Sequence, residues 1–170
     1  MLNFLFPRLT PAAERGAEAF KAVTAIARRP AFFRQCAVPD TIDGRFSVLA
    51  TVLAMMLVRI EQDGASGDPL SVAVTERFIA AMEAEHREFG LGDPTLGKTV
   101  RKLVGVLARR VDQWRLALSN GGDWTEAIRT SLYQNDPDPG AVTCAEAELR
   151  TVWSMFANAD LTQIAKGELG

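Results

Sequence analysis

The stretch with the most definite chemical meaning is GDPTLGKT, which runs from Gly92 to Thr99. It satisfies the phosphate-loop pattern G-x-x-x-x-G-K-[ST], in which backbone N–H groups and a lysine bind nucleotide phosphates. Such a loop requires a buried strand before it and an acidic residue after a second strand. The preceding residues, AAMEAEHREFGL, have a charged and helical pattern instead. We therefore predict an accidental match in which Asp93 and Pro94 begin a helix, and we keep a nucleotide binder at 92–99 as a remote alternative.

Residues for other catalysis or for metal binding are few. His86 is the only histidine, and the glutamates beside it do not follow the HExxH spacing of zinc proteases. Glu85 falls on the apolar side of its predicted helix, so we expect it to be paired or to lie at the rim of the core. Cys36 and Cys144 stand far apart and in no metal-binding spacing, and we expect buried small apolar side chains rather than a disulfide. We predict no enzymatic activity, no metal and no cofactor.

Four basic residues share one face of the helix that is predicted to begin at Asp93. At about 100° per residue, Lys98, Lys102 and Arg109 fall nearly on one line, with Arg101 beside it and the apolar residues opposite. Such a face suits RNA phosphates, anionic lipid headgroups or an acidic protein surface, although most such faces are only solvated. The net charge of the chain is −2, which does not favour DNA as a partner.

The elements that position these residues are all predicted to be helices. Apolar residues recur every three or four positions, and no segment alternates with period two. Cap and breaker residues divide the chain at Thr10, Pro30, Asp68, Asp93 and Asp123. We expect helices over about 10–29, within 30–39, and over 43–62, 68–89, 93–118, 123–134 and 142–157, with a break near 160.

The most apolar run is FSVLATVLAMMLV, from Phe46 to Val58. As a helix it would span about 20 Å, less than the ~30 Å hydrocarbon core of a bilayer, so we expect a buried helix rather than a membrane span. We predict an all-α fold of six to seven helices around this central apolar helix, as a single domain over 1–170. Residues 1–9 are expected to be a flexible apolar N-terminus, and the absence of a targeting pattern predicts a bacterial cytoplasmic protein.

Two stretches of the sequence resemble the ubiquinol-cytochrome c chaperone family. The first matches an Asp-x-x-Asp-Gly-Arg-Phe pattern that opens an apolar helix, here Asp40, Asp43, Gly44, Arg45 and Phe46. The second matches a Gly-x-Gly-Asp…Gly-Lys-x-Val-Lys pattern that opens another helix, here Gly90, Gly92, Asp93, Gly97, Lys98, Val100 and, in place of the last lysine, Arg101. The resemblance covers about residues 30–120.

This resemblance implies a non-enzymatic assembly factor for the cytochrome bc1 complex, respiratory complex III. It implies binding of newly made cytochrome b, or its nascent chain, until haem is inserted. In mitochondria such a factor works with a small helical co-chaperone near the ribosomal exit. The partners that we expect are therefore cytochrome b, such a co-chaperone, and the ribosome or an anionic membrane surface, with a peripheral location at the inner membrane.

The candidate partner-binding residues come from the two matching stretches and the basic face. They are Asp43, Arg45, Phe46, Lys98, Arg101, Lys102 and Arg109. We expect Asp43, Arg45, Lys98 and Arg101 to form an ion-pair network between two helix starts, with Asp43 as a cap or near-cap; a polar patch for a partner is the alternative.

A binder of apolar transmembrane helices needs an apolar groove with a charged rim. The MLNFLF terminus and five further side chains are candidates for it unless they belong to the core, namely Phe32, Phe33, Met55, Met56 and Met82. The alternative function is a helical scaffold at the membrane or the ribosome that binds through the basic face.

Overall fold

The architecture is known from a computed structural model that describes the backbone of residues 9–88, 93–119 and 121–170 and the side chains of 16–85, 97–119 and 121–170. Its helices are α1 (Leu9–Ala27), α2 (Pro30–Arg34), α3 (Ile42–Glu61), α4 (Asp68–Glu88), α5 (Asp93–Ala117), α6 (Trp124–Leu132), α7 (Pro139–Asn158) and α8 (Leu161–Lys166), with a 3₁₀ turn at Gly64–Ser66. These ranges contain no strand, and the predicted all-α fold is confirmed. Within them, no helix is both long and apolar enough to cross a membrane.

The third helix, α3, lies at the centre of the fold, as its apolar run predicts. Every residue from Ala50 to Val58 is buried, and α3 contacts α1, α4, α5, α6 and α7. The buried hydroxyl of Thr51 donates a hydrogen bond to the carbonyl of Ser47 over 2.8 Å, so it costs little in the core. The apolar pattern of this helix is therefore explained by neighbours on several sides rather than by lipid.

At the start of α3, Asp43 takes the near-cap position, one of its two predicted roles, and is not the N-cap itself. Thr41 is the N-cap, and its hydroxyl oxygen accepts a hydrogen bond from the N–H of Gly44 over 3.1 Å. Asp43 lies in the first turn instead, where a negative charge suits the helix dipole. Gly44 must remain without a side chain, because a Cβ there would lie 1.8 Å from the carbonyl oxygen of Pro39.

Of the other helix starts, those of α6 and α8 agree with the prediction, and those of α7 and α1 differ from it. Asp123 accepts from the N–H of Glu126 at the start of α6. Asp160 and Gln163 form a capping box at the start of α8, where the sequence predicted a break. Helix α7 begins at Pro139, three residues before the predicted Val142, because Asp138 caps it. Helix α1 begins at Leu9, so Thr10 is not its N-cap.

The two cysteines form a disulfide, so the expectation of separate buried thiols is wrong. Cys36 follows α2 and Cys144 lies on α7, with their Cα atoms 5.1 Å apart. The hydroxyl of Tyr133 donates to the carbonyl of Cys36 over 2.7 Å and lies 3.1 Å from that of Ala141. No local pattern could reveal this pairing, since the cysteines are 108 residues apart. The disulfide fixes the end of α2 to α7.

Candidate binding groove

An open groove of about 1130 Å³ lies among the first five helices. Its apolar lining residues are Phe20 and Ala27 of α1, Pro30 and Phe33 of α2, Ile42, Phe46 and Leu49 of α3, Ala81, Met82 and Ala84 of α4, and Leu103 of α5. Helices α1 and α4 form one wall because Gly16 lets them approach closely: a Cβ there would lie 2.5 Å from the carbonyl oxygen of Ala73. The groove is thus built by five separate segments of the sequence.

Part of this apolar lining is accessible to water. Ile42, the first residue of α3, is 64% exposed. Phe33 and Phe46 are half-buried, and the ring of Phe46 packs against that of Phe78 with centroids 6.2 Å apart. Large apolar side chains that stay in contact with water beside a concave surface are typical of a binding site for another apolar surface.

Charged residues of both signs line the groove around this apolar surface. They are Arg28, Arg34, Asp40, Asp43, Arg45 and Glu85. The Arg45 Nε donates to the Asp40 carboxylate over 2.6 Å, and this hydrogen bond holds the pKa of Asp40 below its ordinary value and raises that of Arg45. Both groups are therefore charged at neutral pH. Glu85 is exposed, which places it at the rim, one of its two predicted positions.

The structure divides the sequence-predicted site residues between two surfaces. Asp43, Arg45 and Phe46 line the groove. The basic residues Lys98, Arg101, Lys102 and Arg109 are all exposed on α5.

The expected ion-pair network between the two helix starts is not formed. Arg45 pairs with Asp40, five residues before it, and the carboxylate of Asp43 lies 3.5 Å from the amide nitrogen of Gln134. Lys98 and Arg101 form no ion pair within the described part of the chain. These four charged residues therefore do not join the two matching stretches to each other.

The residues predicted as candidates for apolar contact with a partner are divided between the core and the groove. Phe32, Met55 and Met56 are fully buried in the core, whereas Phe33 and Met82 line the groove. The MLNFLF terminus lies outside the described residues. The contribution of α1, including Phe20, was not predicted from the sequence, although a helix was predicted over about 10–29.

The residues on both sides of the phosphate-loop pattern are helical. Helix α4 continues to Glu88 and α5 begins at Asp93, so the strand that a phosphate loop requires is replaced by a helix. Gly97 lies within α5, and a Cβ on it would meet no atom within 4 Å. The side chain of His86 and the loop 89–92 lie outside the described residues. The predicted helix start at Asp93 is thus confirmed by α5.

Three comparisons with known proteins point in one direction. The profile of the family described as Ubiquinol-cytochrome C chaperone matches residues 34–169. The chain is 27% identical over 75 residues to the Ubiquinol-cytochrome-c reductase complex assembly factor 1 of Xenopus laevis, which covers 44% of this chain and 38% of that protein. Its fold is similar to the crystal structure of the Cbp3 homolog from Brucella abortus, with a TM-score of 0.75, 23% identity, and coverage of 100% of this chain and 96% of the other.

Proposed function

The chain belongs to the ubiquinol-cytochrome c chaperone family, a family of complex III assembly factors, and we propose that it binds newly made cytochrome b in the groove between α1 and α5. In this proposal the protein is a chaperone without catalytic activity. It holds an apolar segment of cytochrome b until the cytochrome bc1 complex is assembled. A small helical co-chaperone and the ribosome are further proposed partners.

The observation that carries this proposal is the exposed apolar lining of the groove. Cytochrome b consists of apolar transmembrane helices, which aggregate in water unless their surface is covered. A groove open along one side can cover part of a helix, and its apolar side chains contribute about 25 cal/mol for each Å² of apolar surface removed from water. The charged rim keeps the empty groove in contact with water and limits association between copies.

The charges around the groove suit binding rather than proton transfer. The hydrogen bond between Asp40 and Arg45 moves their pKa values apart, away from neutrality. A general acid or base needs the opposite shift, toward the working pH. The remaining polar lining residue besides the charged ones is Thr24, whose hydroxyl already donates to the carbonyl of Phe20 over 2.9 Å.

The proposal predicts that a charge in place of an exposed apolar lining residue impairs the function, and Ile42→Glu is the sharpest variant. Ile42 is 64% exposed and begins α3, so a carboxylate there stays solvated and suits the helix dipole. Val72→Glu on α4 is the matched control, because Val72 is 56% exposed and does not line the groove. Each variant replaces the natural copy in the host, and the cytochrome b spectrum of the membranes is recorded.

We expect Ile42→Glu to lower the cytochrome b signal at least about fivefold, while Val72→Glu retains it. Equal steady-state levels of both variants, checked by immunoblotting, exclude a folding defect as the cause. Normal cytochrome b with Ile42→Glu would contradict the groove as the binding site. Normal cytochrome b in a strain that lacks the protein would contradict the function itself.

A further inference from the structure

The outer face of α5 carries a row of cations, which we call the α5 basic row. It consists of Lys98, Arg101, Lys102 and Arg109, all exposed. At a rise of about 1.5 Å per residue the row extends over about 17 Å. Between its two ends Gly105 adds no side chain, and the only heavy atom near a Cβ built there is the Arg109 guanidinium, 3.8 Å away. The row therefore carries three cations in the first two turns and a fourth, Arg109, two turns after Lys102.

These four cations lie on one helix without a carboxylate partner in the described residues, whereas the other exposed cations are divided between paired ones and the unpaired Arg28, Arg34 and Lys166. Ion pairs elsewhere join Lys21 to Glu18, Arg45 to Asp40, Arg115 to Glu61 and Asp112, Arg129 to Asp136, and Arg150 to Glu146. No member of the α5 basic row forms an ion pair within the described residues. The sequence has no acidic residue from Gly97 to Val111. A chain of net charge −2 thus concentrates unpaired positive charge on one strip.

The strip ends in an exposed apolar side chain. Leu116 lies two helical turns after Arg109, which places it on the same line of α5, and it is 71% exposed. The exposed carboxylate of Asp112, which lies between them, pairs with Arg115. Basic side chains with an exposed leucine on one line suit a bilayer surface, where headgroups meet the cations and the leucine enters the acyl boundary. The row has no aromatic side chain on which a nucleic-acid base could stack.

The strip and the groove share a helix. Leu103 of α5 lines the groove, while Lys102 beside it belongs to the basic row. Helix α5 is held firmly against α3, because Arg110 donates to the carbonyl of Ser47 over 2.9 Å and Arg115 makes two 2.9 Å hydrogen bonds to Glu61. A surface that contacts the strip is therefore held at a fixed orientation to the groove.

We propose that the α5 basic row, with Leu116, docks the protein on the anionic lipid headgroups of a membrane. Docking would hold the groove beside the bilayer into which an apolar segment must be inserted. The lipid surface is a separate partner from the segment proposed for the groove, so the two proposals can fail independently.

Flotation of the whole protein with lipid vesicles tests this inference. Vesicles of phosphatidylcholine alone are compared with vesicles that also contain phosphatidylglycerol, at low and high salt. The variant is K98E/K102E, and the control K21E/K166E makes the same change in net charge at exposed positions on α1 and α8. Circular dichroism checks that both variants keep their helix content.

We expect the protein to bind only the vesicles that contain phosphatidylglycerol, with an affinity that falls as salt is raised. K98E/K102E should lower this affinity at least about tenfold, and the control less than threefold, because headgroup attraction acts on each nearby cation. Lack of binding to anionic vesicles, or equal losses in the two variants, would overturn the proposal. Salt-sensitive binding to ribosomal RNA without binding to vesicles would overturn it in favour of a nucleic acid.

The same variants separate this inference from the proposed function. K98E/K102E should still co-purify cytochrome b in detergent, where no bilayer is needed. Ile42→Glu should still bind anionic vesicles, because Ile42 lines the groove and not the basic row. Loss of vesicle binding by Ile42→Glu would mean that the groove, rather than α5, contacts lipid.

Discussion

Two glycines in the family-like stretches have opposite surroundings. A Cβ on Gly44 would lie 1.8 Å from the carbonyl oxygen of Pro39, whereas a Cβ on Gly97 would meet no atom within 4 Å. Both residues belong to a recurring pattern, yet their physical requirements differ. Gly44 is required by the close approach of the chain before α3. Gly97 lies in a helix where alanine would fit.

We predict that Gly97→Ala raises the free energy of unfolding by about 0.5–1 kcal/mol, because glycine inside a helix is entropically costly. Gly44→Ala should lower it by about 1–3 kcal/mol, since backbone atoms must move to admit the methyl group. Urea unfolding followed by circular dichroism measures both. A destabilising Gly97→Ala would indicate that the position needs glycine, as a phosphate loop does.

Tyr133 connects three segments through one hydroxyl group. Its hydrogen bond to the carbonyl of Cys36 should make Tyr133→Phe less stable by about 1 kcal/mol. Burial raises the pKa of Tyr133 to about 12, above the value near 10 of an unfolded chain. As pH rises, the Tyr133 hydroxyl therefore loses its proton in the unfolded state first. Its contribution to the free energy of unfolding falls as pH rises from about 10 to 12.

Urea unfolding of wild type and Tyr133→Phe at pH 9 and pH 11 isolates this effect. The stability difference between the two proteins should shrink at the higher pH. Wild type must be compared with Tyr133→Phe because burial also lowers the pKa of Arg110, to about 10. The contribution of Arg110 to the free energy of unfolding therefore rises over the same pH range in which that of Tyr133 falls. A difference that is independent of pH would contradict the assigned burial of Tyr133.

At the scale of elements, the disulfide joins the short α2 to α7. Cross-linking residues that are 108 apart restricts the unfolded chain, so removing the bond should cost about 2–4 kcal/mol. We predict that Cys36→Ala/Cys144→Ala has this effect and that dithiothreitol lowers the stability of wild type but not of the variant. Two free thiols in the non-reduced protein, counted by alkylation and mass spectrometry, would contradict the assignment.

Helices were predictable where the signals are local. Asp123 caps α6 and the Asp160 break starts α8, because both act on residues within one turn. Thr41 and Asp43 are both good cap residues two positions apart, and in the structure Thr41 is the N-cap, with its hydroxyl accepting from the N–H of Gly44. The sequence could not resolve that choice. Contacts between residues far apart in the sequence, such as the disulfide, could not be predicted either, because they depend on how the helices pack.

At the scale of the whole molecule, the groove could be predicted only in part. Phe33 and Met82 were predicted as candidates for apolar contact and Phe46 as a candidate partner-binding residue, and all three line the groove. Periodicity alone gave no means of separating them from Phe32 and Met55, which face the core. A groove between five helices depends on how the helices pack, and packing is not encoded within any one stretch.

The proposed function depends on contact between the groove and newly made cytochrome b. The most direct measurement places a photo-cross-linking amino acid at position 42, with position 72 as the control, in the protein expressed in its own host. Illumination followed by mass spectrometry of the adducts should find cytochrome b attached at position 42 and not at position 72. Adducts without cytochrome b at position 42, or equal cytochrome b adducts at both positions, would contradict the account.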